Sequence, residues 1–179
     1  MKPHLDAKSH NMADGDLTFR PEESDPKAFR NALGKFATGV TIVTCDSELG
    51  PLGMTANSFS SVSIDPPLVL WSPARASQRC AAFEAAEHFA IHVLAESQIE
   101  YCQNFAREGD NFDDVQWHKN DNGVPLIENC LARFQCKQHA IHVGGDHLII
   151  VGKVITASVR DGNPLVFSKG ELGQFTKMD

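Results

Sequence analysis

The stretch MTANSFSSVSIDPPLVLW, residues 54–71, decides how the rest of the chain is read. Its second half, Leu68-Val69-Leu70-Trp71, is an apolar run of strand length that follows the break at Asp65-Pro66-Pro67. Its first half, from Thr55 to Ser63, is dense in small hydroxyl and amide side chains. A hydroxyl run between two apolar strands has two readings. It is a solvated edge strand, or it lines a polar pocket. In the second case the Asn57 amide and nearby backbone groups offer both donors and acceptors to a planar heterocycle.

Working outward, residues 40–45 are β-branched and predict a strand, and Gly50-Pro51-Leu52-Gly53 turns the chain. Upstream, Asp25 caps a helix with Pro26 at its first position. Phe29, Leu33 and Phe36 recur there at helical spacing, which predicts one docked apolar face. Downstream come a loop over 72–76, a helix over 77–87, a strand over 89–94 and a helix from Ser97 to about Phe105. Ser97 and Glu100 suggest a capping box for that last helix. Residues 108–124 read as a long polar connection. Two strand runs, 131–143 and 147–159, meet at Gly144-Gly145-Asp146, and 164–167 is a last short strand. Short turns between successive strands predict a mainly β, mostly antiparallel barrel with appended helices, not a doubly wound parallel sheet. No G-x-G-x-x-G is present. Residues 1–24 are polar and read as a mobile tail, leaving one domain over 25–179.

Composition narrows the function classes. The chain has 179 residues, with 16 Lys+Arg against 23 Asp+Glu and a formal charge of −7. The acid excess argues against non-specific nucleic-acid binding. No apolar run approaches the ~20 residues of a membrane span, and the first residues lack the apolar segment of a secretory signal. Five cysteines without C-x-x-C predict reduced, mostly buried thiols in a cytoplasmic protein. Of eight histidines, His139, His142 and His147 are the tightest group. Strand alternation sends the first two to opposite faces, so no metal site is expected.

Three short segments carry candidate chemistry. Residues 72–77, with Arg75 and Ser77, precede a predicted helix; they are an ordinary cap with a surface Arg, or a phosphate site. Phe105-Ala106-Arg107 closes a helix, where a cation is favourable in itself. Alternatively, Arg107 reaches the same phosphate across a groove. Gly144-Gly145-Asp146-His147 is a turn whose histidine begins a strand, or contacts a ligand and helps move a proton.

In order, M-T-A-N-S-F-S-S-V-S-I-D-P-P-L-V-L-W (54–71), S-x-x-x-x-S (72–77), F-A (105–106) and G-G-D-H-L-I-I-V-G-K-V (144–154) resemble the flavin reductase-like family. The resemblance covers about residues 26–175. It implies a split β-barrel that binds FMN or FAD as a homodimer. It implies NADH- or NADPH-dependent flavin reduction, with reduced flavin passed to a partner flavin-dependent monooxygenase. Matched by position, Thr55, Ala56, Asn57 and Ser58 fall on the flavin-ring segment, with Ser60 and Ser61 just beyond. Ser72, Arg75, Ala76 and Ser77 fall on the phosphate loop. Phe105, Ala106 and Arg107 fall on a second phosphate or ribityl contact, and His147 on the catalytic, nicotinamide side. Many relatives carry Lys where Arg75 stands, a hydroxyl where Arg79 stands, and a C-terminal Tyr where this chain has only Phe167 and Phe175. Two other readings stay open. One is a flavin- or haem-binding barrel without turnover; the other is a flavoenzyme that retains its flavin and reduces another acceptor.

Overall fold

The computed structural model describes residues 10–11 and 17–178. Most of the predicted tail, residues 1–9 and 12–16, lies outside that range. Within it, His10–Asn11 and Leu17–Thr18 pair as two short antiparallel strands.

Seven antiparallel strands form the main sheet: β1 (Thr41–Ser47), β2 (Gly50–Ala56), β3 (Ser60–Ser63), β4 (Leu68–Trp71), β5 (His88–Val93), β6 (Ala132–Gly144) and β7 (His147–Val159). Their spatial order is β2-β1-β5-β6-β7-β4-β3. The two edge strands, β2 and β3, are consecutive in sequence. Only residues 57–59 join them, and so short a link spans at most about 14 Å. The sheet therefore has to curl until its edges nearly meet. Among the described residues no ladder joins those edges, so the result is the expected barrel, split along one seam. Beside it, β8 (Leu165–Ser168) pairs with β9 (Glu171–Gln174) and with residues 38–39.

Strand alternation fills the barrel. Val43, Cys45, Met54, Val69, Trp71, Phe89, Ile91, Cys136, Leu148 and Ile150 point inward. Helix α2 (Cys80–Ala85) packs on this core, with the Phe83 ring edge-on to Trp71 at 4.9 Å. The opposite face of β1 is covered as well. Val40, Ile42, Leu94, Phe112 and Ile127 pack there against Cys102 and Phe105 of α3 (Ile99–Arg107). Coverage on both faces explains why residues 41–45 are all buried and read as a continuous β-branched run.

Several helix expectations need correction. Helix α1 (Pro26–Leu33) is capped by Asp25 as expected, but buries none of its residues. Phe29, Leu33 and Phe36 are 43%, 58% and 78% exposed. The helix expected over 77–87 shrinks to Cys80–Ala85. The Arg79 N–H is taken by the Ser77 hydroxyl at 3.3 Å, so residues 74–79 form turns instead of a first helical turn. The capping box uses Gln98, whose side chain accepts from the Ala95 N–H at 3.1 Å, and not Glu100. The polar connection 108–124 holds one strand of a hairpin, Trp117–Lys119 with Pro125–Ile127. All five cysteines are free and buried. Burial pushes the Cys45 and Cys136 thiols up to about 12 and Cys130 to about 11.

His92 is fully buried between β1 and the 125–127 strand. Its Nδ1–H donates to the Ile42 carbonyl at 3.0 Å, and its Nε2 accepts from the Ile127 N–H at 3.1 Å. Both partners require the neutral ring. Burial pulls its pKa down to about 3, and Arg133 pushes it the same way. The unfolded chain binds this proton below about pH 6.5, while the folded chain refuses it down to about 3. Stability from this group is present above pH 6.5 and is lost as pH falls. Urea unfolding from pH 7 to 4.5 should show a His92-dependent loss of up to about 1.4 kcal/mol per pH unit. The slope should become shallower in His92→Asn.

Candidate active site

The seam of the barrel exposes an edge that a ligand can pair with. Gly53 shows which backbone groups of β2 face away from β1: its N–H donates to Gly109 O at 2.7 Å and its carbonyl accepts from Arg79 at 3.0 Å. Alternation puts the N–H and C=O of Thr55 on the same outward edge. The Thr55 hydroxyl is already committed, donating to the Cys102 carbonyl of α3 at 2.7 Å. Thr55 thus offers a ligand its backbone and not its side chain. The Ala56 carbonyl accepts from the Thr41 hydroxyl at 2.7 Å. Asn57 is exposed at the start of the link. Ser60 and Ser61 are exposed on β3, where Ser60 Oγ donates to the Ser61 carbonyl at 3.2 Å.

Ser58 clasps the next segment. Its hydroxyl accepts from the Ser72 N–H at 2.8 Å and donates to the Ser72 carbonyl at 3.3 Å. Residues 73–75 then run beside the turn between β6 and β7. The Leu148 N–H donates to Pro73 O at 3.0 Å, Ala74 bridges His147, and the Arg75 N–H donates to Asp146 O at 2.9 Å. The Arg75 side chain is exposed and reaches Gly145 O at 3.4 Å. Ala76 is exposed beside it. Arg75 sits on the expected loop, but because α2 begins only at Cys80, Ser77 also lies on that loop and not at the helix start as predicted.

Arg79 ties the third segment in. One of its terminal nitrogens donates to Gly53 O and to Phe105 O at 2.7 Å, and the other donates to Ala106 O at 3.4 Å. Burial lowers its pKa, which nearby Asp110 partly offsets. The sequence marked Arg79 only as a departure from relatives. Nothing in local spacing announced that it would gather carbonyls from β2 and the end of α3. Phe105 is fully buried, edge-on to Phe112 at 4.8 Å. A Cβ on Gly53 would come within 2.6 Å of that ring, so Gly53 is what lets α3 lie on β2. Ala106 and Arg107 are exposed, and Arg107 Nε donates to Gln103 O at 3.2 Å.

His147 is half-buried at the turn, with Nδ1 2.8 Å from Asp146 Oδ1. The Asp146 carboxylate accepts from Nδ1–H and fixes the orientation of the ring, with Nε2 on its far side. The hydrogen bond from His147, followed by its charge, holds the Asp146 carboxyl below its ordinary value.

A large cavity of about 1180 Å³ lies on the other side of the seam. The 30–36 segment, Asn57, Ser58, Phe59, Ser60, Phe167 and Lys169 line it. Arg75, Arg107 and His147 do not. The candidate residues therefore fall on two adjoining surfaces that meet at residues 57–60. Phe59, Phe36 and Phe167 give the cavity aromatic walls, and Arg30, Lys35 and Lys169 give it cations. Among the described residues no three His, Cys, Asp or Glu side chains converge as metal ligands.

Known proteins resemble this chain in sequence and in fold. The chain is 55% identical to the FMN reductase (NADH) SmoA of Agrobacterium fabrum, over 89% of this chain and 91% of that one. It is 38% identical to HsaB of Rhodococcus jostii, the reductase subunit of a flavin-dependent monooxygenase, over 88% and 82%. The solved NADH:FAD oxidoreductase SgcE6 of Streptomyces globisporus superposes with a TM-score of 0.85 at 36% identity, covering 94% of this chain and 96% of that one. The flavin reductase like domain matches residues 33–176. With the split barrel, the open β2 edge and the linked loops all within that span, this chain belongs to the flavin reductase like domain family.

Proposed function

We propose that this protein is an NAD(P)H:flavin oxidoreductase that reduces free flavin, FMN with NADH, and hands the product to a separate monooxygenase. The observation that carries the reading is the outward-facing Thr55 backbone at the seam, flanked by Asn57, the 72–77 loop and the end of α3. The names of the 55% and 38% identical relatives support the donor, the flavin and the oxygenase partner.

A bound flavin supplies the redox chemistry, accepting hydride from the nicotinamide. The chain supplies binding and alignment. The Thr55 N–H and the Asn57 amide donate to the polar edge of the ring, where negative charge grows on reduction. Arg75 and Arg107 are exposed cations on the two segments that Arg79 draws together, and they hold the phosphate. His147, braced by Asp146, faces the nicotinamide and orients it. None of these groups is a nucleophile, and the reaction needs none.

Two further parts of the reading concern assembly and location. We infer a homodimer, supported by the apolar side chains of α1 and Phe36 beside the large cavity, which no other described residue buries. A second copy of the chain would bury Phe29, Leu33 and Phe36. Five free, buried thiols support a reducing, cytoplasmic setting.

Under nitrogen, NADH oxidation should depend on added FMN, and FMN absorbance should bleach. NADH consumption independent of flavin would refute the function. Arg75→Ala with Arg107→Ala should weaken FMN at least ~10-fold while leaving riboflavin affinity within about two-fold, because a charge-assisted bond to phosphate is worth ~1.5–3 kcal/mol. Equal weakening of both ligands would remove the two arginines from the phosphate role. Light scattering should give twice the monomer mass for the wild type and a shift toward monomer for Phe36→Ser with Leu33→Ser. An unchanged mass would put the dimer interface elsewhere.

A further inference from the structure

We propose that a second, separate cleft on the outer face of the barrel, framed by Arg133 and Arg160, binds a small tetrahedral oxyanion. The cleft has a volume of about 140 Å³ and is lined by Asn129, Cys130, Arg133, Ser158 and Arg160, among others. That is roughly ten times the 10–15 Å³ that one water needs.

Sheet register separates it from the flavin edge. Thr55 pairs with Ile42, Ile42 with His92, His92 with Arg133, and Arg133 with Ser158. Residues directly opposite one another share a face, so all five lie in one row. Arg133 stands three strands from Thr55, about 14 Å along the sheet. The hairpin segment 125–130 and α3 cover the row between them.

The charges in this cleft lack counter-charges. Among the described residues, no carboxylate lies within ion-pair distance of Arg133 or Arg160, although the chain as a whole carries a charge of −7. Among the described residues, the Arg133 side chain donates only to the Ile127 carbonyl, at 3.5 Å. Its Nε is buried and has no partner among the described residues. A buried guanidinium N–H without an acceptor costs free energy, because water's hydrogen bond is lost and nothing replaces it. Arg160 is held in place. Its side chain donates to Asn129 Oδ1, its N–H donates to Leu131 O at 2.7 Å, and Asn129 is itself braced by a bond to Gln116 at 3.0 Å. Asn129 adopts the left-handed conformation, φ 61°, which asparagine tolerates. Two positioned guanidinium groups and the Ser158 hydroxyl suit an acceptor with several oxygens, such as sulfate or phosphate. This proposal does not depend on flavin reduction.

Inorganic sulfate is the probe, added to the flavin-free protein at constant ionic strength with chloride as the balancing anion. The melting temperature should rise saturably with sulfate. Arg133→Gln and Arg160→Gln should each weaken the half-saturation concentration at least ten-fold and leave FMN-dependent NADH oxidation intact. Arg75→Ala with Arg107→Ala should keep the sulfate response. If Arg133→Gln fails to fold, exposed Arg160→Gln decides alone. The proposal is overturned if chloride matches sulfate, if the response survives the glutamine variants, or if it disappears only with Arg75 and Arg107.

Discussion

The three-residue link from Ala56 to Ser60 sets the architecture. It joins the first and last strands of a seven-stranded sheet, so the sheet has no choice but to curl. The link is too irregular to complete the ladder, and the seam stays open. That seam is where backbone donors and acceptors remain unpaired on β2. An open edge is a hazard in most sheets, since it invites pairing with any other strand. Here Gly109 and Arg79 occupy it at Gly53, and the short stretch near half-buried Thr55 and exposed Asn57 keeps its outward groups for a ligand.

Arg79 extends the same constraint to the surroundings. A hydroxyl in its place could reach one carbonyl. A guanidinium reaches Gly53, Phe105 and Ala106 together. It thereby couples β2 to the end of α3 and, through the Ser77 hydroxyl on its own N–H, to the 72–77 loop. Ser58 and Ser72 make a second coupling across the seam, and the Pro73–Arg75 backbone a third, to the turn that holds His147. The four candidate segments are thus fixed relative to one another by backbone carbonyls and amides. The exposed Arg75 and Arg107 side chains each spend one donor on a backbone carbonyl, Gly145 O and Gln103 O, and keep their other donors, with the exposed Asn57 amide, toward solvent. The half-buried cation of Arg79 needs no carboxylate, because carbonyl oxygens solvate it.

Much of the fold was legible in the sequence, because strand alternation and turn chemistry are local. The β-branched run at 40–45, the long 131–143 and 147–159 pair and the Gly-Gly-Asp turn each announced themselves. Helix edges were less legible. The residues 77–79 could have opened a helix, and only the competition for the Arg79 N–H settled that they do not. The apolar spacing of Phe29, Leu33 and Phe36 predicted a docked face, but among the described residues nothing covers those side chains.

By itself, then, the sequence determined the antiparallel β character, the positions of the turns, the buried thiols and the order of motifs that mark the family. Periodicity and short-range chemistry are sufficient for each of these. Only the tertiary structure decided that Thr55 turns its hydroxyl to α3 and its backbone to the seam. Only it decided that Arg79 is a brace, and that His92 is a neutral cross-link. Those outcomes depend on partners 26 to 50 residues away in the chain, such as Gly53 for Arg79, Cys102 for Thr55 and Ile42 for His92. No local pattern encodes such a partner, because which atoms meet is set by how the sheet closes.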